Sequence, residues 1–208
     1  IEGPLTKDKT AVLRVFAKMF YNHCGFYGDD LKIAKLERFI EKQGKTQQFR
    51  EAFEKVNGAP WTETRDSFAF FEDDIVSVLQ STLGMSEQAA RNWFNGEETN
   101  ELSIAQLVAD IQEYVDGKGK DFRLLFMVDE VGQYIGDDGD LMINLQSLVE
   151  EIGIRCHGKV WVMVTSQEAI DSVVHITGND FSKIQGRFNT RLSLSSSSVD
   201  EVIKKRVL

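Results

Sequence analysis

Two short apolar runs, separated by one helical pattern, constrain the fold of this chain more than any other feature. The first run covers residues 124–128 (LLFMV) and the second covers residues 159–165 (KVWVMVT). The residues between them carry an apolar stripe at helical spacing, which Gly153 ends: Leu141, Leu145, Leu148 and Ile152. A strand, a crossover helix and a second strand form a βαβ unit, so the two strands are predicted to pair in parallel. The first run does not alternate, which predicts a central strand covered on both faces.

Two adjacent acids, Asp129 and Glu130, directly follow the first predicted strand. Ligands of parallel sheets bind in the crevice beyond the carboxyl ends of the strands. The stretch therefore resembles the Walker B motif of P-loop NTPases. In that role Asp129 would help to hold Mg²⁺ and Glu130 would polarise the attacking water. The alternative is that two solvated acids cap the following turn.

The second predicted strand ends in three polar residues, Thr165, Ser166 and Gln167. In P-loop ATPases of the AAA+ type, a polar sensor residue near the γ-phosphate occupies this position. The alternative is a polar cap for the following helix, and the spacing does not decide which of the three residues would be the sensor.

A third short strand is predicted over residues 190–195, and the residues before it include the step Gly186-Arg187-Phe188. This step resembles the AAA+ stretch that delivers an arginine finger into the site of a neighbouring subunit. A guanidinium there would stabilise the charge that builds up on the transferred phosphoryl group. Arg187 matches this role best and Arg191 is the second candidate. The alternative is two solvated arginines on a loop.

Residues 5–118 have a different pattern, which is helical almost throughout. Asp30 can cap one of these helices, and Ser103 with Gln106 forms a predicted capping box for the last of them. Further helices are predicted over 72–83 and 86–95. Because the glycines and lysines of residues 117–120 give the one strong linker signal, the chain divides into a helical insertion or interaction region (1–118) and a Walker B and sensor half (119–208).

The triplet Gly44-Lys45-Thr46 imitates the end of the phosphate-binding motif GxxxxGK[ST]. The first glycine of that motif would fall at Phe39, and a charged helix precedes the triplet instead of a strand. Without that glycine and the preceding strand, the backbone N–H groups cannot form a loop that binds a phosphate. We therefore predict a helix end at Gly44 and find no Walker A motif in the 208 residues.

Composition excludes several function classes. The net charge of −9 argues against direct DNA contact through a broad surface of this segment. No apolar run approaches the ~20 residues that a membrane span needs. Cys24 and Cys156 lack metal-ligand spacing, which favours two reduced thiols in a cytoplasmic protein. The chain begins without Met and ends inside a predicted helix, so we expect a segment of a longer protein.

Four stretches together resemble the large P-loop ATPase of bacterial BREX phage-defence systems, the BrxC or PglY family. The matching stretches are VDEVGQYIG (128–136), NLQSLVEEIG (144–153), GKVWVMVTSQEAID (158–171) and NDFSKIQGRFNTRLSLSS (179–196). Weaker similarity extends through KIAKLERFIEKQGK (32–45) and the Trp93-Phe94 region. The order of these stretches, their spacing and their flanking residues all resemble those of the family.

This resemblance implies an ATP-hydrolysing, AAA+-like protein that uses ATP and Mg²⁺ in antiviral defence. It further implies a homo-oligomer that acts with a DNA methyltransferase and other components of the system. The Walker A motif of that family lies upstream of the matching region, so the P-loop half of the same protein would complete the site. The expected fold class is α/β, with part of a P-loop parallel sheet and a large helical insertion before it. The competing hypothesis is a non-catalytic helical interaction module whose acids are structural.

Overall fold

A computed structural model of the chain describes residues 10–95, 102–131 and 139–165, together with Thr190 and Leu192. This described part contains eight α-helices, one 3-10 helix and two β-strands. The bounds are α1 (Ala11–His23), α2 (Leu31–Lys42), α3 (Thr46–Asn57), α4 (Trp61–Thr64), the 3-10 helix (Arg65–Phe70), α5 (Glu72–Leu83), α6 (Glu87–Asn95), α7 (Ile104–Asp116), β1 (Leu124–Val128), α8 (Gly139–Arg155) and β2 (Val160–Val164). The predicted third strand and the C-terminal helix lie outside the described residues.

The two strands pair in parallel, as the sequence predicts. Leu124 is opposite Val160 at one end of the ladder, and Val128 is opposite Val164 at the other. Helix α8 lies between them in the chain and packs on β2 and on α7. The βαβ unit is therefore confirmed, and the fold of the described part is α/β with a predominance of helix.

Apolar side chains form two separate clusters. The sheet cluster combines β1, β2 and α8 with the two helices α1 and α7. The helical cluster combines α2, α3, α5 and α6 with Trp61 of α4. Two helices from the predicted helical region thus belong to the core around the sheet. The domain boundary at residue 118 stays a prediction, since the clusters describe packing and not independent folding.

Only one face of the sheet is covered by the residues that the structure describes. Leu124, Phe126 and Val160 are buried on that face, where the ring centroid of Phe16 lies 5.2 Å from that of Phe126. The opposite face exposes four large apolar side chains: Leu125, Met127, Trp161 and Met163. A strand covered on both faces is therefore not found within the described part. The lack of alternation in the sequence reflects apolar residues on both faces and not two covering layers.

The predicted capping residues begin two of the helices. The carboxylate of Asp30 accepts hydrogen bonds from the backbone N–H groups of Lys32 and Ile33, at 2.9 and 3.1 Å. The Ser103 hydroxyl accepts from the Gln106 N–H at 3.2 Å, but the Gln106 amide bonds to Asp110 and leaves the capping box half formed. Gly153 does not end α8, which continues to Arg155. The chain turns instead at His157 and Gly158, both with positive φ.

A buried carboxylate organises the helical cluster. Glu37 of α2 is 7% exposed and accepts a hydrogen bond from the Trp61 indole N–H at 2.7 Å. The Arg65 guanidinium donates to the same oxygen at 2.9 Å, and the Tyr27 backbone N–H donates to the other oxygen at 2.5 Å. Because each donor comes from a different segment, Glu37 ties the chain on both sides of α2 and α3 to one point.

None of the helices in the described ranges is long and apolar enough to cross a membrane.

Candidate functional site

The residues that follow β1 meet the residue that follows β2. Thr165 directly succeeds β2, and its backbone N–H donates to the Val128 carbonyl at 3.0 Å. Its own carbonyl accepts from the Val131 N–H at 3.0 Å. The carboxyl ends of the two strands are thus held side by side by backbone hydrogen bonds, as the sequence predicts for a parallel pair.

The Thr165 side chain completes the junction. Its hydroxyl oxygen accepts a hydrogen bond from the Glu130 N–H at 3.0 Å and donates to the Asp129 carboxylate. The same carboxylate oxygen of Asp129 also lies 3.1 Å from the Glu130 nitrogen. Asp129, Glu130 and Thr165 therefore form one hydrogen-bonded unit at the carboxyl edge of the sheet.

Glu130 has a left-handed backbone conformation, with φ of 52°. For a residue with a Cβ this conformation is uncommon and costs free energy, and it is found where surrounding contacts impose it. Here the contacts are the hydrogen bond from the Glu130 N–H to Thr165 and, at the next position, the buried side chain of Val131, which is 2% exposed. The conformation turns the chain sharply after Asp129. No glycine at this position signals such a turn in the sequence.

The exposed carboxylate of Asp129 fits the ligand preference of Mg²⁺. This ion binds hard oxygen ligands and commonly takes one or two protein carboxylates together with waters and substrate phosphates. Within the described ranges, no three His, Cys, Asp or Glu side chains form a group that could hold a metal ion by themselves. The role of Asp129 as a ligand of Mg²⁺ therefore stays a prediction.

Four predicted site residues lie outside the described part of the chain. They are the two further sensor candidates and the two finger candidates: Ser166, Gln167, Arg187 and Arg191. The structure brings together the three that it describes, namely Asp129, Glu130 and Thr165. The roles assigned to all seven stay predictions.

The triplet Gly44-Lys45-Thr46, which imitates the end of a phosphate-binding motif, lies at the junction between α2 and α3. Gly44 follows the end of α2 with φ of 67°, and Lys45 immediately precedes α3. A helix and not a strand leads into the triplet, so the backbone N–H groups have no loop in which to cradle a phosphate. The predicted helix end at Gly44 is confirmed.

Both cysteines are free thiols in apolar surroundings. Burial raises the pKa of the Cys24 thiol to about 11, and it raises the pKa of the Cys156 thiol to about 11 as well. A thiol with so high a pKa carries little thiolate near neutral pH and is a poor nucleophile. The raised pKa argues against a nucleophilic role for either cysteine.

The chain matches no protein-family model, and no solved structure matches it.

Proposed function

We propose that this chain is a segment of an ATP-hydrolysing, AAA+-like P-loop protein of the BREX defence family. One observation carries the proposal. The Asp129-Glu130 pair follows a parallel strand and is hydrogen-bonded to a polar residue at the tip of the neighbouring strand. This is the edge at which ligands of parallel sheets bind.

The two acids take different roles in the proposed site. Asp129 is the exposed acid and serves as the protein ligand of Mg²⁺, which neutralises charge on the phosphates when the nucleotide is bound. Glu130 is half-buried and orients and polarises the attacking water. Thr165 lies between the strand tips, in contact with both acids. Arg187 is the proposed finger, with Arg191 second, and Ser166 and Gln167 are the other sensor candidates.

The site is completed by other parts of the assembly. The P-loop half of the same protein supplies the amide cradle and the lysine that hold the phosphates. A neighbouring copy supplies the arginine finger, which requires a homo-oligomer. A DNA methyltransferase and other defence components are the proposed partners. Because Asp129 cannot replace the P-loop, we expect calorimetry to detect no micromolar Mg-ATP binding to residues 1–208 alone.

Turnover by the full-length protein tests the proposal. Glu130→Gln keeps the shape of the side chain but cannot accept a proton, so turnover should fall by ~10²–10⁴ while ATP binding persists. Glu54→Gln makes the same chemical change on an exposed part of α3 and should leave turnover unchanged. Turnover at the wild-type rate in Glu130→Gln would reject the assigned role. Loss of ATP binding as well would show that the site had collapsed.

A non-catalytic helical interaction module is the second candidate. One observation favours it, since the hydrogen bonds around Asp129 are also those of an acid that stabilises a turn. On this hypothesis Asp129→Asn and Glu130→Gln lower the stability of the full-length protein, and the wild-type protein does not hydrolyse ATP. Measurement of ATP hydrolysis by the wild-type protein therefore separates the two candidates.

A further inference from the structure

Thr165 uses all of its polar groups on the segment that carries the two acids. Its backbone N–H and carbonyl bond to Val128 and Val131, which flank that segment. Its hydroxyl accepts from the Glu130 N–H at 3.0 Å and donates to the Asp129 carboxylate. A hydroxyl has one proton to donate, and here that proton is directed at Asp129.

The contacts of Thr165 coincide with the strained position in the described part of the site. Glu130 has φ of 52°, and its N–H points at the Thr165 hydroxyl. A left-handed conformation in a residue other than glycine persists when neighbouring contacts over-determine it. The hydroxyl of Thr165 is the side-chain contact that does so from the adjacent strand.

We infer that Thr165 is a positioning residue, which holds Glu130 in the left-handed turn and orients Asp129, and that it does not sense the γ-phosphate. If its hydroxyl turned towards a phosphate, the Asp129 carboxylate would lose its donor. The sensor role then falls to Ser166 or Gln167. The catalytic part of this inference rests on the proposed function, whereas the positioning part does not.

Thr165→Val is a sharp test because valine keeps the branched shape and both backbone hydrogen bonds while it removes the hydroxyl. In the full-length protein, residue-resolved hydrogen exchange of the Glu130 amide should become about tenfold faster in this variant. The amide loses its shorter hydrogen bond and keeps only the Asp129 carboxylate, which has itself lost the hydroxyl that orients it. Thr165→Ser should restore slow exchange. Thr62→Val removes an exposed hydroxyl from α4 and should leave the Glu130 amide unchanged. Unchanged exchange in Thr165→Val, or no rescue by serine, would overturn the positioning role.

The kinetics of the same variants separate positioning from sensing. A positioning residue lowers kcat when it is removed. Because Asp129 is the proposed Mg²⁺ ligand, the binding of ATP and of ADP should weaken together, and the ratio of the two affinities should stay unchanged. A γ-phosphate sensor instead loses the preference for ATP over ADP, and this result would overturn the inference. If the wild-type protein does not hydrolyse ATP, the proposed function fails, and the hydrogen-exchange result still decides whether Thr165 holds Glu130.

Discussion

Arg38 of α2 and Asp110 of α7 form an ion pair, with 2.5 Å between Nη1 and Oδ1, that joins the two apolar clusters of the molecule. Asp110 is 4% exposed and lies among residues of the sheet cluster. It also accepts hydrogen bonds from the Tyr21 hydroxyl and the Gln106 amide, each at 2.8 Å. The carboxylate is therefore fully hydrogen-bonded, which is what makes a buried charge tolerable.

Loss of the Asp110 carboxylate should be costly. Asp110→Ala removes the acceptor of the Tyr21 hydroxyl and of Nη1 of Arg38, whose Nη2 keeps its ion pair with Glu113. We therefore expect the free energy of unfolding to fall by ~3–5 kcal/mol. Chemical denaturation of the purified protein measures this change. Lys42→Ala is the matched control, because Lys42 pairs with Glu113 at the surface. The control should cost less than ~1 kcal/mol. Equal losses in the two variants would show that the buried contact is not the stronger one.

The close approach between the end of α1 and the following loop should make Gly28 intolerant of a side chain. A Cβ at this position would lie 2.4 Å from the Lys18 carbonyl oxygen and 2.9 Å from the Asn22 side-chain oxygen. Because the carbonyl belongs to a helix and cannot move alone, Gly28→Ala should destabilise the protein by ~1–3 kcal/mol. Gly119→Ala is the control, since no atom lies within 4 Å of its added Cβ. Thermal unfolding of both variants checks the difference, and a Tm for Gly28→Ala as high as that of the control would contradict it.

Burial of the two thiols predicts a loss of stability at high pH. In the folded protein Cys24 and Cys156 each have a pKa of about 11, because burial disfavours the thiolate. The unfolded chain releases these protons near pH ~8.5. Their contribution is therefore fully present below pH ~8.5 and is lost as the pH rises through about 11.

Two measurements check this dependence. Iodoacetamide labelling, followed at each cysteine by mass spectrometry, should show half-maximal reactivity near pH 11 and not at the ordinary value of a thiol. Denaturation of a Cys24→Ser, Cys156→Ser variant should show a smaller loss of stability between pH ~8.5 and about 11 than the wild type does. Burial also raises the pKa of Tyr21, so part of the loss should persist in the variant. Rapid labelling at pH 8 would contradict the prediction.

The elements of this fold were predictable where local chemistry determines them. The apolar runs identify the two strands, the Asp30 cap identifies the start of α2, and Gly44 identifies its end. The predicted helix over residues 72–83 coincides with α5. Such features depend on residues that are close in the sequence, so the sequence of one protein is enough to predict them.

The packing of the elements was not predictable in the same way. Glu37 and Asp110 are acids, a residue type that is rarely buried unless it is paired, and no pattern in the sequence identifies their partners. Their burial depends on donors that lie 24 and 89 residues away in the chain, in Trp61 and Tyr21. In the candidate site, too, the strand order was predictable but the detailed contacts were not. Strand order predicted the meeting of Asp129 with Thr165, whereas the left-handed turn at Glu130 depends on a hydrogen bond between the residues that follow the two strands.

Arg187, whose position lies outside the described residues, should act in the site of a neighbouring subunit if the proposed function is correct. An arginine that contacts only a neighbour's nucleotide adds little to the stability of its own subunit, so Arg187→Ala should leave folding nearly unchanged. Turnover of the full-length assembly should fall by ~10³ or more, because the charge on the transferred phosphoryl group loses its stabilising guanidinium.

A mixture of two inactive full-length variants distinguishes action in trans from action within one subunit. When Arg187→Ala and Glu130→Gln co-assemble, some interfaces combine an intact Glu130 with an intact Arg187 from the neighbouring copy. Partial ATP hydrolysis should then return in the mixture but in neither variant alone. Arg187→Lys is the control that keeps the positive charge but removes the planar guanidinium and its paired N–H donors. It should not recover full turnover. If mixtures that demonstrably co-assemble stay inactive, Arg187 does not act in trans, and Arg191 becomes the candidate to substitute next.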